Sequence, residues 1–303
     1  MPASWDLDET LRAAVFARMS QLRARYADRI PAAELSKGIW LDGKRISIWN
    51  QPKGIFKPHE LGSNGAALSV HTSVDSPYAD EHDPEAGRLL YKYQGTDPVQ
   101  RDNVALRHAM ERQRPLLYLV GVDPGVYDAV FPVYVTGDDP LNLQFTLMAD
   151  QLDASTHQRS DTLTVLRRAY TTRAVMARLH QQQFRRIVLQ AYANRCAICR
   201  LRHLELLDAA HILPDHDPRG EPIVPNGLGL CKIHHSAFDS YIIGIDPDAR
   251  VHVRGDILSE IDGPMLRYGL QEAHGTKLLL PRRTDQRPAR DFLAERFERF
   301  KAA

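Results

Sequence analysis

The sequence predicts an α+β protein with a strand-rich N-terminal domain, a helical linker and a small metal-stabilised C-terminal domain. Three observations indicate this organisation. Short alternating apolar runs fill residues 38–135, an acid-free stretch with helical periodicity follows, and all three cysteines then fall in one metal-ligand pattern. The predicted domains are residues 1–150, a linker at 151–193, and residues 194–303.

Composition excludes several classes of protein. The 303 residues are 43% hydrophobic and 25% charged, as in ordinary globular proteins. No apolar run reaches the ~18–20 residues that span a bilayer, and the first ten residues carry acids where a secretory signal needs bases. Three cysteines are too few for a disulfide framework. We therefore expect a cytoplasmic protein with no membrane partner.

The N-terminal domain is expected to begin with a helix and continue as short strands. Asp8 is a candidate N-cap, and apolar residues from Leu11 to Leu22 follow at helical spacing. Asp42-Gly43 between alternating segments predicts a hairpin. Further strands are expected at 68–70, 89–91, 116–122 and 130–135, with a helix at 103–112. Asp138-Asp139-Pro140 is interpreted as the exit from this domain.

The linker is predicted to be a helix over 161–192, broken near Arg178, and a closing helix is expected at 289–301. Residues 1–150 carry a net charge of −4 and residues 151–303 one of +5; between 162 and 200 there are eight arginines and no acid. Clustered cations suit a polyanion, although they also suit a solvated helix face. The arginines assigned to DNA phosphates are Arg167, Arg168, Arg185 and Arg186.

The metal pattern consists of two pairs with two-residue gaps. Cys196 and Cys199 form the first pair, and Cys231 and His234 form the second, with 31 residues between the pairs. Four nitrogen and sulfur ligands at this spacing are typical of a structural zinc site. The alternative is three buried cysteines that act as small hydrophobes.

The frame CAIC…LDAAHILP…PNGLGLCKIHHSAFD, within about residues 183–246, resembles the HNH endonuclease family. The resemblance implies a ββα-metal fold and phosphodiester hydrolysis with one divalent cation, Mg²⁺ or Mn²⁺. It implies three catalytic roles: His211 is the general base, Asn226 fixes the loop that holds this base, and His235 is a ligand of the catalytic cation.

One position departs from the family pattern. Many members have an acid or a histidine immediately before the base, and here Ala210 stands there. Asp208, two residues back on the same strand face, and Asp239, one helical turn after His235, are the candidate second ligands. Each fits a plain surface charge equally well.

Residues 38–135 resemble divergent SRA and PUA-like domains, which flip a modified base out of duplex DNA. The resemblance is carried by Tyr93, Gly95, Asn103 and Tyr127-Asp128, with Ala129 where the family has glycine. The candidate pocket residues are Trp49, Tyr91, Tyr93, Asn103, Tyr127 and Asp128. Aromatic residues in short alternating strands also suit a core.

Together these resemblances predict a metal-dependent restriction endonuclease for double-stranded DNA with modified bases, modified cytosine first among them, in defence against phage. One HNH unit cuts one strand, so a homodimer is expected on DNA. Two alternatives remain open: a non-catalytic, zinc-stabilised DNA-binding protein, and a nuclease directed at RNA.

Overall fold

The computed structural model describes residues 4–74, 82–83, 88–150, 162–214 and 217–303. The chain divides into two units, Met1–Leu179 and His180–Ala303, and the boundary lies inside one long helix. No helix in the described part of the chain is both long and apolar enough to cross a membrane.

The N-terminal unit combines a mixed sheet, a separate small hairpin and helices. Its helices are α1 (Ser4–Tyr26), α2 (Ala32–Leu35), α3 (Arg101–Glu111) and the first part of α4 (Thr162–Ala191). Its strands are β1 (Ile30–Pro31), β2 (Ile39–Leu41), β3 (Lys44–Ile46), β4 (Ile55–Phe56), β5 (Ser69–Thr72), β6 (His82–Asp83), β7 (Arg88–Lys92), β8 (Leu116–Asp123), β9 (Val126–Asp139) and β10 (Gln144–Ala149).

The sheet has the order β4-β5-β8-β9-β10-β7-β6, and β1 adds to β9. The β5–β8 pair is parallel, and the other described pairs are antiparallel. Strands β2 and β3 form the expected hairpin around Asp42 and Gly43, both of which have positive φ. That backbone matches the twist of a tight two-residue hairpin.

Strand β8 explains the longest apolar run of the sequence. Leu117 and Leu119 pack into a core with helix α1, whereas Leu116 and Tyr118 pack into a second core with helix α3. A central strand covered on both faces needs apolar side chains at consecutive positions rather than at alternate ones. The two cores therefore lie on opposite faces of the same sheet.

The C-terminal unit begins within α4 and contains two small hairpins and short helices. Its further elements are β11 (Leu207–His211), β12 (Gly227–Cys231), α5 (Lys232–Asp239), β13 (Ile243–Ile245), β14 (Val251–Val253), α6 (Gly255–Ser259), α7 (Pro264–Gly269) and α8 (Arg290–Ala302). Strands β11 and β12 pair antiparallel, with Leu207 opposite Cys231 and His211 opposite Gly227. Helix α5 follows directly, so the order is ββα.

The structure corrects three local predictions. Asp8 is not a cap but lies inside α1, where its carboxylate pairs with Arg12 and Arg114. Helix α4 runs without a break past Arg178. The chain does not leave the sheet near Pro140 but turns back as β10, which pairs with both β9 and β7.

Helix α4 carries an apolar stripe that suits either a dimer contact or packing within its own domain, formed by Val165, Leu166, Tyr170, Val175 and Leu179. Val175 packs against the core of the N-terminal unit, and Leu179 is buried. Tyr170 is 70% exposed. The side chains of Val165 and Leu166 lie outside the described residues.

Candidate active site and metal centre

The four predicted zinc ligands converge in the C-terminal unit. Their ligand atoms all lie within 4.8 Å of one another, and no other such group of three or more occurs among the described residues. Cys199 Sγ lies 3.9 Å from Cys231 Sγ, and His234 Nδ1 lies 3.4 Å from Cys196 Sγ and 3.2 Å from Cys231 Sγ. Zn–S bonds of about 2.3 Å in a tetrahedron place sulfur atoms roughly 3.8 Å apart, so the cluster fits zinc.

The second ring nitrogen of His234 is also held in place. His234 Nε2 lies 2.7 Å from the carbonyl oxygen of Gly269, at the end of α7. A proton on Nε2 donated to this oxygen leaves Nδ1 free to bind the metal, as outer partners of ligand histidines commonly do. The cluster therefore ties the β11–β12 hairpin, α5 and α7 together.

Two glycines let helix α4 approach the hairpin closely. A Cβ on Gly227 would lie 2.4 Å from Val188 Cγ2, and one on Gly229 would lie 3.0 Å from Tyr192 Cβ. Both glycines of the Gly-Leu-Gly sequence in β12 are therefore needed for this close packing. The close approach of α4 also brings the side chain of Phe184, on the same helix, over the end of β11.

His211 lies at the end of β11, and its ring stacks on that of Phe184. The two ring centroids are 4.0 Å apart and the rings are inclined by 19°. Phe184 is buried in the core of the C-terminal unit. This contact fixes the plane of the imidazole that the family resemblance assigns as general base, and nothing in the sequence motif signals it.

The side chain of Asn226 forms hydrogen bonds with the backbone at two points of the segment that follows His211, at Leu213 and at Glu221. Its side-chain oxygen accepts a hydrogen bond from the backbone nitrogen of Leu213, and its amide donates to the carbonyl oxygens of Leu213 and Glu221. The backbone oxygen of Asn226 accepts from Ile212. The fully buried Asn226 side chain therefore holds the backbone immediately after the candidate base.

His235 lies between the two acids that were candidate cation ligands. Its Nδ1 is 3.5 Å from Asp208 Oδ2, and its Nε2 is 3.2 Å from Asp239 Oδ2. The two ring nitrogens point in different directions, so in this arrangement only one of the carboxylates can share a cation with His235. A carboxylate and an imidazole at this separation fit two ligands of one divalent ion, whose ligands lie at about 2.1 Å from it.

The charges around His235 extend to two arginines. Arg185 Nε lies 3.7 Å from Asp208, and Arg296 Nη2 lies 3.7 Å from Asp239. Hydrogen bonds with Asp208 and Asp239 raise the pKa of His235 to about 9. Burial raises the pKa of Asp208, but the hydrogen bond from His235 and the charge of Arg185 outweigh it, so this pKa falls below its usual value.

Three of the four arginines assigned to DNA have partners within the protein. Arg167 and Arg168 both pair with Asp150, a buried residue, and Arg168 also lies 4.0 Å over the ring of Tyr134. Arg185 donates to the carbonyl oxygens of Leu204 and Leu207. Arg186 is half-buried on α4. The acids that balance this acid-free stretch come from distant positions in the sequence.

Within the described part of the chain, the six candidate pocket residues are divided between packed positions and one polar cavity. Trp49 and Tyr127 pack edge to face in the core, with ring centroids 4.9 Å apart. Asn103 is buried and bonds to the backbone of Gln94 and Asp97, and the buried Asp128 pairs with Arg178.

Tyr91 and Tyr93, by contrast, line a polar cavity of about 250 Å³ together with His71 and Gly54. Tyr91 donates its hydroxyl proton to the carbonyl oxygen of His71. Burial lowers the pKa of His71, and hydrogen bonds with the backbone of Gln51 and Lys53 offset part of this shift. His71 is therefore neutral at pH 7, with a proton on one ring nitrogen. No pattern in the sequence indicates His71, because the residues that share its cavity come from strand β7 and from the segment before β4.

Residues 196–246 match the family model described as HNH endonuclease. The matched segment contains the four residues of the cysteine–histidine cluster, strands β11 and β12, and helix α5. The C-terminal unit thus carries an HNH endonuclease domain at residues 196–246.

Two solved structures show low similarity to the chain. One is the "Modification dependent TagI restriction endonuclease", with 16% identity, a TM-score of 0.28, and coverage of 77% of this chain and 81% of that chain. The other is the "Type IV phosphorothioation-dependent restriction endonuclease ScoMcrA", with 15% identity, a TM-score of 0.26, and coverage of 62% and 55%. No curated protein matches the chain at a significant level.

Proposed function

We propose that this chain is a metal-dependent DNA endonuclease that restricts DNA with modified bases, modified cytosine first among them. The observation that carries the catalytic part is the ββα unit, in which His211 is oriented by Phe184 and His235 lies against carboxylates. Its cluster of three cysteines and a histidine holds structural zinc.

In this proposal, His211 removes a proton from the attacking water. The water oxygen adds to phosphorus while the P–O bond to the leaving sugar oxygen breaks, and that oxygen then takes up a proton. His235 and one of its two carboxylate neighbours hold Mg²⁺ or Mn²⁺, which supplies charge neutralisation at the phosphate. Asn226 keeps the backbone after His211 in place.

We assign recognition of the modified base, here called the reader function, to the 250 Å³ cavity and not to all six residues expected from the sequence. A flipped base needs stacking surface and hydrogen-bonding groups. Tyr91 and Tyr93 supply aromatic surface, whereas Thr72, Ser73 and Gln94 of the same lining supply hydrogen-bonding groups. Trp49 and Tyr127 pack near His71 and support its ring from behind.

Cleavage of a panel of DNA substrates tests the function. Plasmids that are unmodified or carry 5-methylcytosine, 5-hydroxymethylcytosine or glucosylated cytosine are incubated with Mg²⁺ or Mn²⁺. We expect cleavage that needs the cation and favours one modified substrate. Equal cleavage of all substrates would contradict the reader function, faster cleavage of RNA would favour an RNA nuclease, and DNA binding without cleavage would favour the non-catalytic alternative.

The cavity itself is tested with Gly54→Ala. A Cβ at this position would lie 2.8 Å from the hydroxyl of Tyr91 and 3.2 Å from Gln94 Oε1, so the variant narrows the cavity. We expect loss of the preference for modified DNA, with cleavage of unmodified DNA unchanged. Gly263→Ala is the control, because a Cβ there meets no atom within 4 Å, the φ of −68° is ordinary for alanine, and the residue is not part of the cavity lining. A variant at Gly54 that keeps the full preference would contradict the assignment.

A further inference from the structure

A second, larger cleft lies beside the polar cavity in the N-terminal unit. It has a volume of about 690 Å³ and is open to solvent. Its charged lining is dominated by cations, with Arg45, Lys53, Lys57 and Arg101 against Glu60 and Asp102. Since residues 1–150 carry a net charge of −4, the cleft is a local exception to the charge of its domain.

The cations of the cleft are incompletely neutralised. Lys53 Nζ lies 3.5 Å from Asp102, whereas Arg101 has no carboxylate partner among the described residues. Lys57 donates to the carbonyl oxygens of Gly62 and Ser63, not to an acid. Burial and the charge of Arg101 lower the pKa of Lys57, as expected where positive charges face one another. An anion in the cleft would relieve this repulsion.

Neutral hydrogen-bonding groups lie among these charges. Ser47, Asn50 and Ser63 are part of the same lining. Helix α3 begins at Arg101, so the positive end of its dipole also faces this region. Cations combined with hydroxyl and amide groups are the set that contacts phosphate oxygens in complexes with DNA.

One stretch of chain separates the cleft from the polar cavity. Residues 50–55 run between the cleft and the cavity, and each of these residues lines one or the other. Those on the cleft are Asn50, Lys53 and Ile55, and those on the cavity are Gln51, Pro52 and Gly54. A nucleotide with its base in the cavity would therefore have its flanking phosphates next to the cations of the cleft.

From this juxtaposition we infer that the cleft lined by Lys53, Lys57 and Arg101 binds the phosphate backbone of DNA next to the base held in the cavity. The inference rests on the proposed function and adds the surface that holds the strand. Backbone contacts fix register and orientation, while the cavity supplies recognition. The acidic N-terminal unit thus has its own site for DNA, separate from the arginines of α4.

The test is binding of duplex DNA by the full chain without added Mg²⁺ or Mn²⁺. Fluorescence anisotropy is measured with unmodified and 5-methylcytosine duplexes between about 50 and 200 mM salt. The variant is Lys53→Gln with Arg101→Gln, two exposed side chains. The matched control is Lys37→Gln with Arg25→Gln, which removes the same charge from the same unit; Lys37 pairs with Glu34 as Lys53 pairs with Asp102. Lys57 is left intact because it holds the 62–63 backbone.

We expect the cleft variant to lose about tenfold or more in affinity for both duplexes and to flatten the salt dependence by about one unit of slope for each lost contact. The control should keep the wild-type affinity and slope, and both variants should keep the wild-type melting temperature. Equal losses in the two variants, or none in the cleft variant, would overturn the inference, as would tighter binding of duplex RNA. If the cleft variant flattens the salt dependence but the wild type shows no preference for modified DNA, the cleft binds phosphates as inferred and the modification dependence is refuted.

Discussion

The ring of Phe184 stacks on the ring of His211 with 4.0 Å between the centroids. The contact joins a helix residue of the arginine-rich stretch to the candidate base, 27 positions later in the sequence. It is possible because Gly227, opposite His211 in the hairpin, has no side chain to displace α4. The helix therefore orients the candidate base and is not only a connector.

Phe184→Leu should lower the cleavage rate at saturating DNA by about tenfold or more, since stacking is lost and the imidazole is free to turn. DNA affinity should stay unchanged. Val188→Ala is the control, because it removes core packing on the same helix one turn further on and leaves the ring stack of Phe184 on His211 intact. Equal rates for the two variants, measured well below both melting temperatures, would show that the stack does not position the base.

Removal of one zinc ligand should unfold the C-terminal unit. Structural zinc contributes an apparent 10–16 kcal/mol in small zinc domains, as much as the whole stability of a typical domain. His234→Ala or Cys231→Ser should therefore lose bound zinc and the cooperative unfolding of this unit. His203→Ala, at an exposed histidine outside the cluster, should bind one zinc per chain. Elemental analysis and circular dichroism decide, and a zinc-free variant with wild-type stability would contradict the assignment.

The positions of Asp208 and Asp239 predict that they are not equivalent. Asp208 is on the same strand as His211 and contacts Arg185, the neighbour of Phe184, whereas Asp239 is more exposed at the end of α5. We expect Asp208→Asn to lower cleavage by about a hundredfold and to raise the Mg²⁺ concentration needed. Asp239→Asn should have a small effect. The opposite ranking in metal titrations of the cleavage rate would identify Asp239 as the ligand.

The pairing of Arg167 and Arg168 with Asp150 predicts a role in stability. Arg167→Gln with Arg168→Gln removes two cations from a buried carboxylate, and breaking a buried pair costs about 3–5 kcal/mol. Adding Asp150→Asn should restore much of this loss in the free energy of unfolding, measured with urea. If the free energy of unfolding is unchanged and the salt dependence of DNA binding is flatter, both arginines contact DNA, as the sequence predicts.

Local patterns were sufficient to predict several parts of this molecule. The Asp42-Gly43 hairpin follows from the turn residues themselves, and the cluster of three cysteines and a histidine follows from short spacings that each bring two ligands together. Strand β10 was missed because the Asp-Asp-Pro turn before it resembles a domain exit. That turn lies within a hairpin.

Features that depend on distant segments could not be read from the sequence. Asp150, which neutralises two arginines of α4, precedes the acid-free stretch, and the cavity around His71 is assembled from strands β5 and β7 and the segment before β4. Charge counting along the chain shows where cations are but not which acids the fold brings to them. For this reason the sequence alone could not distinguish the arginines of α4, which pair with internal acids, from the cations of the cleft, which are incompletely neutralised.

The proposed role of His211 as the general base of a metal-dependent DNA endonuclease is decided by the cleavage rate of His211→Ala. Wild-type protein and the variant, each loaded with one zinc per chain and matched in melting temperature and DNA affinity, are compared on the plasmid panel with Mg²⁺ or Mn²⁺. We expect cleavage by the wild type only when the cation is added, and a loss of at least about a hundredfold in the variant. Cleavage by His211→Ala at a rate near that of the wild type would contradict it.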